Sequence, residues 1–147
     1  MPAFTRRQIL QLGVVAALAT QLPSIAFADS GATTKTRAIF QVSDADPAKW
    51  NLTLGNVANA QEALGKDASE IEIVAYGPGI EMLKKDSPVA ARVAEALRNG
   101  VRVVACQNTM RARKLTPADM IPEIGYVPSG VVEIMQRERE GYAYLRS

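Results

Sequence analysis

From Arg37 onward, short apolar runs alternate with longer stretches whose apolar residues recur every three or four positions. The short runs are rich in Ile and Val and are bounded by turn signals. Residues 37–42, 71–75 and 101–105 therefore read as strands, the last buried on both faces. Weaker strands are expected at 125–127 and 142–145. In the longest periodic stretch, residues 47–64, Trp50, Leu54, Val57, Gln61 and Leu64 fall on one helical face. Asp46-Pro47 is a helix start and Gly65 a stop. Trp50 then belongs to the core or an interface rather than to a binding platform. Shorter helical segments are expected at 80–85, after Ser87-Pro88, after Cys106 and after Thr116-Pro117. The last helix, 131–140, is expected to turn Val131, Ile134 and Met135 inward.

Strands alternating with helices along one chain imply an α/β fold: a three-layer α/β/α sandwich around a mostly parallel five-stranded sheet. In such sheets ligands gather beyond the carboxyl ends of the strands. Ser43, the turn Tyr76-Gly77-Pro78-Gly79, the run Cys106-Gln107-Asn108-Thr109 and Pro128-Ser129-Gly130 are all expected at that edge. The candidate ligand contacts are Ser43, Tyr76, Gly77, Gly79, Gln107, Asn108 and Thr109. Cys106 is the nucleophile of the group. The opposing reading is a small buried hydrophobe, a common fate of free Cys. The Gly-Pro-Gly turn is either ligand-facing or a plain turn. It has neither dinucleotide-fingerprint spacing nor the lysine of a phosphate loop. Arg111, Arg113 and Lys114 either lower the thiol pKa or attract an anionic sulfur species, or they form a solvated basic face.

Composition narrows the chemistry. The 147 residues include one cysteine and no histidine. Histidine-assisted nucleophiles and most zinc sites are thereby excluded, and no metal or cofactor is expected. A thiolate here has to be stabilised by amides, a helix N-terminus or cations. A redox dithiol would need a partner's cysteine.

The N-terminus carries Thr5-Arg6-Arg7-Gln8-Ile9-Leu10, an apolar run and Ala26-Phe27-Ala28. This is the pattern of a twin-arginine export signal cleaved after Ala28, with an ordinary secretory signal or an uncleaved anchor as alternatives. Residues 1–28 are accordingly expected to be a signal, 29–35 a linker and 36–147 the folded domain, located in the periplasm without a stable membrane anchor. The precursor holds 17 basic and 15 acidic residues. Removing Arg6 and Arg7 leaves 15 against 15. A neutral domain lacks the basic footprint of nucleic-acid binding.

Five segments resemble the DsrE-like sulfur-relay proteins (the DsrE/DsrF/DsrH group): KWNLTLGNVANAQ at 49–61, VAYGPGIEML at 74–83, GVRVVACQNTM at 100–110, VPSGVVEI at 127–134 and EGYAYL at 140–145. The match keeps its order over nearly all of the domain and looks most like an exported, single-domain branch. The resemblance implies a homo-oligomer, trimer or hexamer; Trp50, Tyr142 and Tyr144 are the candidate interface aromatics, since such residues are enriched in interfaces. It implies a persulfide on the cysteine, here Cys106, and a sulfur carrier or sulfurtransferase with a sulfane-sulfur donor or acceptor as partner. The alternative is a non-catalytic, oligomeric small-ligand binding module with a structural cysteine.

Overall fold

The apolar runs form strands and the periodic stretches pack on both faces of them. The computed structural model describes residues 34–147. The expected signal, residues 1–28, and residues 29–33 of the linker lie outside the described residues. The strands are β1 (Thr36–Val42), β2 (Ser69–Ala75), β3 (Arg102–Cys106), β4 (Gly125–Val127) and β5 (Ala143–Arg146). They lie in the order β4-β3-β2-β1-β5. Every pairing is parallel, so the sheet is parallel throughout. The helices are α1 (Pro47–Leu64), α2 (Ala90–Arg98), α3 (Gln107–Ala112) and α4 (Gly130–Arg139). Short 3-10 helices cover Gly77–Leu83 and Pro117–Asp119. None of the described helices is long and apolar enough to cross a membrane.

Local chemistry sets these boundaries. Asp46 caps α1 by accepting from the Ala48 N–H at 2.9 Å, and Pro47 follows it. Gly65 ends the helix at φ +86°, a conformation that glycine adopts without strain. Trp50, Leu54 and Val57 are buried on one face of α1. They pack on Phe40, Val42 and Ile73 from alternate positions of β1 and β2. The opposite face of the sheet is covered by α4. There Ile39, Val74, Val104 and Val127 meet Ile134 and Tyr142. By the two-residue alternation of β3, Arg102, Val104 and Cys106 also point to the α4 side.

Two expectations are corrected. On α4, Val131 and Met135 are each 51% exposed, while Gly130, Glu133 and Ile134 are buried. The helix turns its Glu133–Arg137 stripe inward because those side chains pair with Glu72 of β2. Trp50 and Tyr142 are buried within the subunit, leaving Tyr144 as the exposed aromatic of the three. The Trp50 indole N–H donates to the Asp44 carbonyl at 2.7 Å, and the Tyr142 hydroxyl donates to Glu70 Oε1 at 2.5 Å.

Candidate functional site

Cys106 is both the last residue of β3 and the N-cap of α3. The apolar run ends there because Gln107-Asn108-Thr109 turns the chain into a helix. Parallel register sets Cys106 beside Val127 of β4, just ahead of the start of α4. Three segments therefore converge on one sulfur. The Thr109 hydroxyl and the backbone N–H groups of Gly130, Thr109 and Asn108 stand around it and lower its pKa, without a capping hydrogen bond to the sulfur. The Asn108 N–H also donates to the Pro128 carbonyl at 3.2 Å, tying the two loops together.

The turn after β2 orients the Thr109 hydroxyl. Gly77 sits at φ +53° and donates its N–H to Thr109 Oγ1 at 2.9 Å. That bond occupies a lone pair of the hydroxyl and leaves its proton free to be donated. Gly79 passes so close to β1 that an added Cβ would lie 2.3 Å from the Val42 carbonyl oxygen. Gly130 likewise admits the Tyr76 ring, which would stand 2.9 Å from any Cβ placed there.

Burial, which leaves Cys106 4% exposed, pushes its thiol pKa up. The Thr109 hydroxyl and the three amides outweigh burial and hold the pKa below the ordinary thiol value. The cations of α3 take no part. Arg113 pairs with Glu81 at 2.9 Å, and the Arg111 guanidinium contacts Asn108 Oδ1. Arg111, Arg113 and Lys114 are exposed, as the solvated reading of that basic face expects.

Tyr76 stands within electrostatic reach of the sulfur. Burial is the main cause that raises its phenol pKa, followed by Tyr144, with a smaller contribution from Cys106. Ser43 and Gln107 engage other partners. Ser43 accepts from Gln41 Nε2 at 3.1 Å, and Gln41 Oε1 accepts from the Tyr144 hydroxyl at 2.7 Å. Gln107 lines a separate cleft of about 200 Å³ with Met110, Arg111, Leu115, Pro117 and Tyr126. The site thus gathers Cys106, Thr109, Asn108, Gly77 and Tyr76. The Gly130 amide completes it. The sequence places Gly130 at the correct sheet edge, but only the β3–β4 register brings it to the sulfur. Chemically, the arrangement is a thiol whose anion is favoured by neutral donors and which is almost entirely shut off from solvent.

Comparison with known proteins agrees with this architecture. No curated protein matches the chain. A solved protein of unknown function from Methanobacterium thermoautotrophicum is 35% identical, with a TM-score of 0.74, covering 77% of this chain and 100% of its own. A conserved protein of unknown function from Bacteroides thetaiotaomicron is 14% identical with a TM-score of 0.63, over 76% of this chain and 94% of that one. The ychN protein of E. coli is 12% identical with a TM-score of 0.62, over 76% and 99%. The last two show the fold alone. The model of the DsrE/DsrF-like family matches residues 36–146, and the chain belongs to that family.

Proposed function

We propose that this protein is a sulfur carrier that holds a persulfide on Cys106. Membership of the DsrE/DsrF-like family supports a sulfur-relay type of fold. The observation that carries the finer reading is the set of four donors around the Cys106 sulfur, which favours its anion without a base. In the loading step the thiolate attacks the sulfane sulfur of a donor. A sulfur–sulfur bond forms to Cys106, the donor's own bond to that sulfur breaks, and the leaving group takes the electron pair. The product is again an anion, and the same amides and hydroxyl stabilise it.

The test is mass spectrometry of native protein after exposure to thiosulfate or polysulfide. The expected product carries one added sulfur that a reductant removes and that Cys106→Ser does not acquire. One observation favours the second reading, a small-ligand binding module: the 4% exposure of Cys106 suits a structural thiol. Native protein that gains no sulfur and resists alkylation until unfolded would establish that reading instead.

Two further parts of the reading concern setting. The exposed apolar residues Val131, Val132 and Met135 of α4 support assembly with further copies of the chain, as a trimer or hexamer. The Thr5–Leu10 pattern and Ala26-Phe27-Ala28 support export to the periplasm and a mature N-terminus at Asp29.

A further inference from the structure

A buried ionic cluster lies under α4, away from the thiol. Glu72, in the middle of β2, is 1% exposed. Its Oε2 accepts from Arg137 Nε at 2.8 Å, while its Oε1 has no partner. Glu133 Oε1 stands 3.1 Å from the same nitrogen, so the Glu72 and Glu133 carboxyls meet at one donor. From β3, Arg102 approaches Glu72 and Glu133 at 3.6 Å each. Arg137 also holds Glu140 at 2.8 Å and lies 5.2 Å from the Tyr142 ring centroid. Beyond Tyr142, Glu70 pairs with Arg37 at 3.3 Å.

Two carboxyls meet one guanidinium nitrogen in a buried site, with Arg102 farther off at 3.6 Å, and a proton held by Glu72 relieves their repulsion. A proton on Glu72 Oε1 turns the orphaned acceptor into a donor. Burial, the largest cause, raises the Glu72 carboxyl to about 7, the neighbouring Glu133 adding to it and Arg137 opposing.

Helix α4 has little else to hold it there. Ile134 is its single large buried apolar side chain, since Val131, Val132 and Met135 face outward. The helix is a rod of 10 residues, about 15 Å long. Gly130 begins it at the sulfur, while Glu133 and Arg137 follow one and two turns along. We propose that Glu72, Glu133 and Arg137 are positioning residues for Cys106: with a proton on Glu72, the cluster clamps α4 to the sheet and so holds the Gly130 N–H beside the sulfur. The inference rests on the reading of Cys106 as a stabilised thiolate. The register Glu72↔Arg102 puts the clamp four residues back along β3, roughly 13 Å from Cys106. Val74 and Val104 fill the space between, so the link runs through the helix and not through a proton path. Losing that proton leaves two carboxylates repelling across Arg137, and the start of α4 loosens.

The test compares wild type, Glu72→Gln and Glu70→Gln, each as the full chain. Gln is isosteric with protonated Glu: it accepts from Arg137 and supplies a donor in place of the proton. Cys106 ionisation is followed by thiolate absorbance, and amide exchange of residues 130–134 by NMR with correction for intrinsic rates. Glu72→Gln should enlarge the thiol acid dissociation constant by roughly threefold, about half of one pKa unit. Glu70→Gln, which removes a charge from the same sheet face, should leave it unchanged. Wild-type protection of the 130–134 amides should fall from about pH 6 to about pH 8, either side of the Glu72 titration, and stay level in Glu72→Gln. The proposal is overturned if wild type and Glu72→Gln thiols ionise together, if Glu70→Gln moves the thiol equally, or if the protection is independent of pH in wild type. Neither readout involves sulfur uptake, so the clamp stands or falls on these measurements even in a protein that fails to carry sulfur.

Discussion

At the residue scale, everything at the site turns on one hydroxyl and three amides. Thr109 is the donor that mutation can remove. Thr109→Val keeps the volume and deletes the hydroxyl that accepts from Gly77 and lowers the Cys106 pKa. A hydrogen bond to a charged group contributes about 1.5–3 kcal/mol. The thiol midpoint should therefore rise by at least about one pH unit, and alkylation by iodoacetamide at neutral pH should slow roughly tenfold. Thr109→Ser should restore most of the rate, and equal rates for all three proteins would refute the role given to the hydroxyl. Gly130→Ala tests the fit of the Tyr76 ring, since the new methyl would stand 2.9 Å from it. Forcing that contact should cost about 1–3 kcal/mol, read as a lowered midpoint in urea. The absence of histidine leaves this donor set as the means of activating the thiol.

At the element scale, α4 joins the clamp to the site, and its stability should depend on pH. The folded pKa of Glu72 is raised from 4.5 to about 7. A raised folded value means that the contribution to stability is fully present below pH 4.5, is lost as pH rises, and is gone above about 7. The interval corresponds to about 3 kcal/mol at most. Glu72→Gln should remove that dependence, matching wild type near pH 4.5 and exceeding it in thermal midpoint above about pH 7. A parallel pair of stability curves would contradict this.

The elements also show what can and cannot be seen in the sequence. The bounds of α1 follow from Asp46-Pro47 and Gly65, which act within one turn of where they stand. Strands β1, β2 and β3 announce themselves as Ile- and Val-rich runs, and Cys106 and Thr109 follow from the end of β3. The facing of α4 is not legible in this way. Val131, Val132, Ile134 and Met135 are nearly contiguous, so apolar spacing alone does not select a face. The decision is made by Arg137 meeting Glu72, a partner 65 residues away in sequence. The Gly130 amide is hidden for the same reason, since it reaches Cys106 through strand register. The one local sign is Glu72 itself, a carboxylate inside the run IEIVA.

At the scale of the whole molecule, the sheet is covered unevenly. One face carries α1 and α2, and the other carries α4, whose outer surface shows Val131, Val132 and Met135. A second copy seated there would remove that apolar surface from water. Light scattering on the mature protein at micromolar concentration should report a trimer or hexamer, and Val132→Glu with Met135→Glu should reduce it to monomer. A wild-type monomer would end the assembly reading. N-terminal sequencing of periplasmic protein should begin at Asp29, and a product that retains Met1 would end the export reading.

The near-complete enclosure of the sulfur carries a kinetic consequence. A reagent reaches Cys106 only when the surrounding loops part, so its reaction is gated. Alkylation should rise in proportion to reagent at low concentration and then level off at the rate of opening. That plateau would measure how often the protein breathes at this point. Raising temperature should lift it far more steeply than it lifts the reaction of an exposed thiol, because the barrier crossed belongs to the protein and not to the chemistry of sulfur.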